Sequence, residues 1–105
     1  MLRIHSVIIQ LAPQIGRLAD RIERRDRNLG SQLRRSYASV ANNVAEGSAH
    51  RGARRRHAYE IALGEARESL STLQIAAAFG YVAPLPPELR RALNQVVGTL
   101  VVVTR

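Results

Sequence analysis

The sequence predicts an all-α protein, an antiparallel up-down-up-down four-helix bundle in a single domain spanning 1–105. Three observations carry this. Apolar residues recur in steps of three and four through four separate segments. The apolar content, 46% of the chain, is mostly Ala, Leu, Val and Ile, whereas aromatics make up 4% and Trp is absent, a composition that suits packed helices. The breakers fall between the segments, so the connections are short and neighbouring helices run antiparallel. A chain of 105 residues buries only a modest core, and association with further copies is a natural way to gain stability.

The first helix is placed near 2–27. Leu or Ile stands at 4, 8, 11, 15, 18 and 22, and Pro13 either kinks this helix or marks its proper start. Asp20 to Arg24 and Glu23 to Arg27 are i,i+4 pairs in the favourable order, acid first. Arg17 to Arg27 therefore reads as a solvated, mostly self-paired face. The second helix, near 29–46, carries Leu29, Leu33, Tyr37, Val40 and Val44. Asn28 or Ser31 is placed to cap its start, and Gly47 stands just past its end, where it would supply a left-handed turn.

The third helix, near 54–79, has the cleanest stripe: Tyr59, Leu63, Ala66, Leu70, Leu73 and Ala77, closed by Gly80 and the breaker-rich "YVAPLPPE". The fourth, near 86–104, carries Leu89, Leu93, Val96, Leu100 and Val103, opened by Pro86-Pro87-Glu88. Its "VVGTLVVVT" is β-branched, but a lone strand has nothing to pair with in a helical chain, so it reads as helix. Val96, Val97, Leu100, Val101, Val102 and Val103 cover more than one face, although a small bundle needs a single stripe. The surplus predicts contact with another subunit, with Val97 and Val101 as candidate interface residues. Glu65 and Glu68 lie on the third helix opposite its seam, with Ile61, Thr72, Ile75 and Phe79. They are candidates for the same interface, pairing with Arg of a neighbouring subunit.

Several chemistries are disfavoured. Cys is absent, so there is no disulfide framework and no thiolate metal site. The N-terminal segment lacks the long apolar run of a signal peptide or membrane span, and a cytoplasmic location is expected. His57-x-x-Glu60 has the reverse order of a di-iron Glu-x-x-His motif and no second copy, and no His sits in an H-E-x-x-H pattern. No metal and no other cofactor is expected. Glu65 and Glu68 have no nucleophile or His beside them. Ser36, Ser39, Ser69 and Ser71 lack a nucleophile-elbow setting and read as surface or small packing residues. No Gly-rich phosphate loop is present. These observations point away from an enzyme.

What remains is charge. The net is +8, and all sixteen basic residues are Arg. Codon usage in a GC-rich genome accounts for the missing Lys, yet Arg also binds phosphate bidentately. A pI near 11.5 favours polyanionic partners. Residues 48–57, "SAHRGARRRH", hold +4 and no acid. Three arginines at a helix N-terminus oppose the helix dipole, which is costly unless an anionic partner compensates. The alternative is a solvated inter-helix loop. The candidate phosphate contacts, to RNA or DNA, are Arg51, Arg54, Arg55 and Arg56, with Arg34 and Arg35.

"LGSQLRRSYASVANNVAEG" (29–47) resembles the motif of four-helix-bundle proteins encoded in intervening sequences of bacterial 23S ribosomal RNA genes. Gln32, Arg34, Arg35, Ser39, Asn43, Ala45, Glu46 and Gly47 fall in register. "IALGEARESLSTLQIAAAFGYV" (61–82) resembles the family's second block, including Ala62, Gly64, Glu68, Leu73 and the closing Gly80-Tyr81. The resemblance implies a bundle assembling into a ring, a homopentamer, without enzymatic activity. It also implies a distant relation to the basic accessory protein of diversity-generating retroelements, a pentameric bundle that binds nucleic acid and a reverse transcriptase. Two departures stand out. Gly64-Glu65 replaces the usual Gly-Ser, and the loop after Gly47 carries four arginines instead of one. Asn43, Glu46, Gly47, Gly80 and Tyr81 are read as structural. Asn43 would bond the following loop, and Glu46 would hold Arg54 or a neighbouring subunit's Arg34.

Overall fold

Each apolar stripe forms one α-helix in the computed structural model, which describes residues 1–105. The helices are α1 (Ile4–Arg25), α2 (Arg27–Ser48), α3 (Gly52–Ala78) and α4 (Pro87–Val103), and there is no strand. α1 packs on α2, α2 on α3, α3 on α4 and α4 back on α1. With such short connections, that neighbour order is the one an up-down-up-down bundle produces. No helix is long and apolar enough to cross a membrane.

Only Asp26 separates α1 from α2. Its backbone is extended, and its Oδ1 accepts from the Leu29 amide at 3.0 Å. Asp26 is therefore the cap, not Asn28 or Ser31, because α2 starts two residues before its apolar stripe does. The corner is tight. Gly30 is buried, and a Cβ there would stand 2.8 Å from the Glu23 amide nitrogen and 2.9 Å from the Ala19 carbonyl oxygen.

α1 runs unbroken through Pro13, whose ring faces solvent. The missing amide would have paired with the Ile9 carbonyl. One residue earlier, the buried Tyr37 hydroxyl donates to the Ile8 carbonyl at 2.6 Å, tying this turn to α2. Burial pushes the Tyr37 phenol pKa up. α3 closes on Gly80, at φ +78. The Gly80 amide bonds the Ala77 carbonyl at 3.0 Å, and the Tyr81 amide bonds that of Ala76 at 2.9 Å, the two bonds of a Schellman ending. Pro87 opens α4 where no amide is needed.

The most extensive helix contact is between α2 and α3, and small residues create it. Ser36 and Gly47 on α2 and Ala58, Ala62, Ala66, Ser69 and Ala76 on α3 are all buried. The Ser36 and Ser69 hydroxyls share a 2.8 Å hydrogen bond and also reach the Leu33 and Glu65 carbonyls of their own helices. No buried side-chain nitrogen or oxygen lacks a partner. This close approach shifts the α3 core off the predicted seam. Leu63 and Leu70 are only half-buried, whereas Thr72, expected on the outer face, is buried. A stripe read by hydrophobicity undervalues Ala, Ser and Thr. In α4, Leu89, Leu93, Val96 and Leu100 are buried, while Val97 and Val101 are half-buried and Val102 is 57% exposed.

Candidate nucleic-acid interface

The turn between α2 and α3 is three residues, Ala49 to Arg51. α2 runs through Gly47 to Ser48, and the residue with positive φ is Gly52, at +61. Gly47 is thus helical and does not supply the left-handed turn. Its role is close approach: it is buried, and a Cβ there would lie 2.6 Å from Cδ1 of Tyr59. The Tyr59 hydroxyl in turn bonds Ser48 Oγ at 3.2 Å.

The four arginines divide. Arg55 folds back, and its Nε donates to the His50 carbonyl at 2.8 Å and the Gly47 carbonyl at 3.2 Å, so it caps the carbonyl end of α2. Arg56 Nε stands 4.0 Å from Glu60 Oε1, an exposed i,i+4 pair of little strength. Arg51 and Arg54 are exposed and have no ion pair or hydrogen bond. α3 begins with neither an acid in its first turn nor a capping side chain. Arg54 shares a cleft with Asn43, Glu46, His50, His57 and Ile61.

The motif residues beside that cleft bond differently from expectation. Glu46 Oε1 lies 2.8 Å from His50 Nε2, so its partner within the subunit is His50 and not Arg54. Asn43 Nδ2 donates to the Ser39 carbonyl at 2.9 Å and to Ser39 Oγ at 3.0 Å, one turn back. The Asn43 amide donor is thus spent within α2 and makes no bond to the following loop.

Arg34 is engaged elsewhere. Its Nε donates to Glu23 Oε1 at 2.7 Å, and its Nη2 is paired with Asp20 Oδ1. The hydrogen bond to Glu23, reinforced by both carboxylate charges, holds the guanidinium pKa above its usual value. Asp20 and Glu23 sit on the flank of α1 that faces α2, so the predicted Asp20–Arg24 and Glu23–Arg27 pairs do not form. Arg17, Arg21, Arg24 and Arg27 are exposed without an ion pair. Arg35 is exposed, with a long 3.4 Å contact to Ser31 Oγ. It stands roughly 20 Å along α2 from the turn. Of the six predicted phosphate contacts, only Arg51 and Arg54 are both close together and free.

The predicted interface residues also divide. Ile61 and Ala58 share the cleft with Asn43 and Glu46, so the row Ile61, Glu65, Glu68, Ile75, Phe79 runs along the α2 side of α3. Val97 and Val101 belong to α4, which packs on α3 from the other side. Ile61 and Ile75 are 40% and 41% exposed. Burial, and then the neighbouring Glu68 charge, push the pKa of the half-buried Glu65 up, and Glu65 has no cation partner. Sequence reasoning missed one cluster. Tyr81 packs edge-on against Phe79, centroids 5.5 Å apart, with the Arg25 guanidinium 5.2 Å above its ring. The signal was the tripeptide Phe79-Gly80-Tyr81 closing a helix, whose glycine brings the two rings together.

These features define a class: a basic, all-helical four-helix protein whose free cations lie on helix ends and one outer helix face. The model of the 23S rRNA-intervening sequence protein family matches residues 2–100, and the chain belongs to that family. The match takes in α1, α2, α3 and most of α4. Comparison with curated proteins and with solved structures gives no match.

Proposed function

We propose that the protein is a non-enzymatic, oligomeric binding module that grips RNA or DNA by its phosphates, with a reverse transcriptase as the protein partner the resemblance implies. The observation that carries the reading is the pair Arg51 and Arg54. Both are exposed, both lack a partner, and both sit where the α3 dipole already favours an anion, in a chain of net charge +8. Oligomerisation is supported by apolar surface left open at Ile61, Ile75 and Val102 and by the half-buried, unpaired Glu65. A ring of five is the assembly the resemblance implies.

The test is a mobility-shift titration at low salt with wild type and R51Q/R54Q, with a thermal melt to check folding. The variant keeps its melting temperature and loses most of its affinity. Equal affinity would remove the turn from the interface. A second reading, a protein-interaction ring with no nucleic-acid role, is favoured by the Ile61–Phe79 row, which is half apolar and bears two acids. It predicts an intact oligomer by light scattering that binds neither RNA nor DNA at low salt.

A further inference from the structure

We propose that the opposite end of the bundle carries a platform for single-stranded nucleic acid, a stacking ring set beside a row of phosphate-binding arginines. The proposal rests on the nucleic-acid reading above and adds a second surface and a strandedness to it. Phe79, the last residue before the Gly80 turn, is 61% exposed and is the one exposed aromatic ring; Tyr37 and Tyr59 are buried. The left-handed Gly80 brings Tyr81 back against it, and Arg25 covers the Tyr81 ring from the other helix. Tyr81 is thereby held in place, and Phe79 is left free to stack.

A row of cations leads away from this pair. Gln14, Arg17, Arg21 and Arg24 recur at steps of three, four and three, which puts them on one face of α1. Arg17 to Arg24 spans about 10 Å of helix. Gln14, Arg17 and Arg21 line one cleft with Ala83, Pro84 and Pro86, so the loop that starts at Tyr81 runs beside the row. The acids of this stretch are occupied elsewhere: Asp20 and Glu23 by Arg34, and Asp26 by the start of α2. Glu88, in the first turn of α4, pairs with none of these arginines. A row of unpaired guanidiniums exchanges the counterions of a phosphate backbone, in RNA and DNA alike. A free ring stacks only on a base that is not already paired, which selects the single strand.

The test is fluorescence anisotropy of a labelled oligothymidylate and of a duplex of equal length, at low salt, with wild type, F79A and R17Q/R21Q/R24Q. F79A weakens single-strand binding about tenfold and leaves duplex binding and the oligomer mass unchanged. The triple variant weakens both probes and flattens the dependence of log affinity on log salt, by roughly 2.1 on the single strand and roughly 2.7 on the duplex. Unchanged single-strand affinity in F79A overturns the proposal, as does an equal loss on the duplex. A fall in oligomer mass would reassign Phe79 to a subunit contact. If wild type binds neither probe, the nucleic-acid reading itself fails; if it binds and F79A matches it, only the platform falls.

Discussion

At the α2–α3 turn, four arginines stand within six residues and no acid lies among them, yet one is tied to two carbonyls and another leans toward Glu60. Along the last three turns of α1, two acids, Asp20 and Glu23, are interleaved with arginines, yet Arg17, Arg21 and Arg24 have no ion pair. Charge density and charge availability are therefore different properties. The turn satisfies part of its own charge because the end of a helix presents unpaired carbonyls, acceptors that carry no formal charge. α1 leaves its cations bare because its acids lie on the flank that meets α2, where Arg34 reaches both.

That contrast is open to attack by substitution, most forcefully where the turn itself is unmade. In Gly47→Ala the added methyl meets the Tyr59 ring, and the helix ends must part. Chemical denaturation should show a loss of about 3 kcal/mol, the upper range for overpacking. A loss below about 1 kcal/mol would mean that Gly47 is merely a helix-end glycine. Arg55→Gln comes next, because it removes the two bonds that cap α2. It should cost about 1 kcal/mol by the same measurement, while Arg51→Gln costs nothing measurable. Equal costs would erase the division among the four arginines.

Arg34→Gln sharpens the other side of the comparison. It removes two exposed ion pairs, at a cost of about 0.5–1 kcal/mol that shrinks in high salt. The smallest effect belongs to Glu65. Its folded-state pKa is raised, so the folded protein holds this proton more readily than the unfolded chain does. The group's cost to stability therefore builds as pH rises from its ordinary value to the raised one, is complete above that, and vanishes in acid, where both states are protonated. Glu65→Gln should raise the melting temperature at neutral pH by an amount worth about 0.5 kcal/mol at most, with no gain at acid pH. A gain that persists at acid pH would point to a different cause.

Much of this was legible in the sequence. The four stripes, the Gly80 ending and the proline opening of α4 follow from periodicity and backbone sterics, which act locally. What was not legible depends on which flank of a helix meets which neighbour. Gly47 reads equally well as a cap or as a close contact until Tyr59 is placed over it. Asp20 and Glu23 have good partners in sequence and a better one across the α1–α2 corner, in Arg34. In α3, Ala62, Ala66, Ser69 and Thr72 are buried although the leucines dominate the pattern, and Ser69 bonds Ser36 of α2. The candidate site suffered most, since Arg51, Arg54, Arg55 and Arg56 look alike as letters and differ only in what their guanidiniums touch.

The central claim is that an arginine contributes to polyanion binding here only if the fold has not already engaged it. The direct measurement is the slope of log affinity against log salt for a labelled duplex with wild type, R51Q/R54Q and R34Q. R51Q/R54Q should flatten the slope by roughly 1.8, near 0.9 for each phosphate no longer neutralised, and R34Q should leave it unchanged. A slope that R34Q flattens as much per arginine as R51Q/R54Q does would contradict the claim.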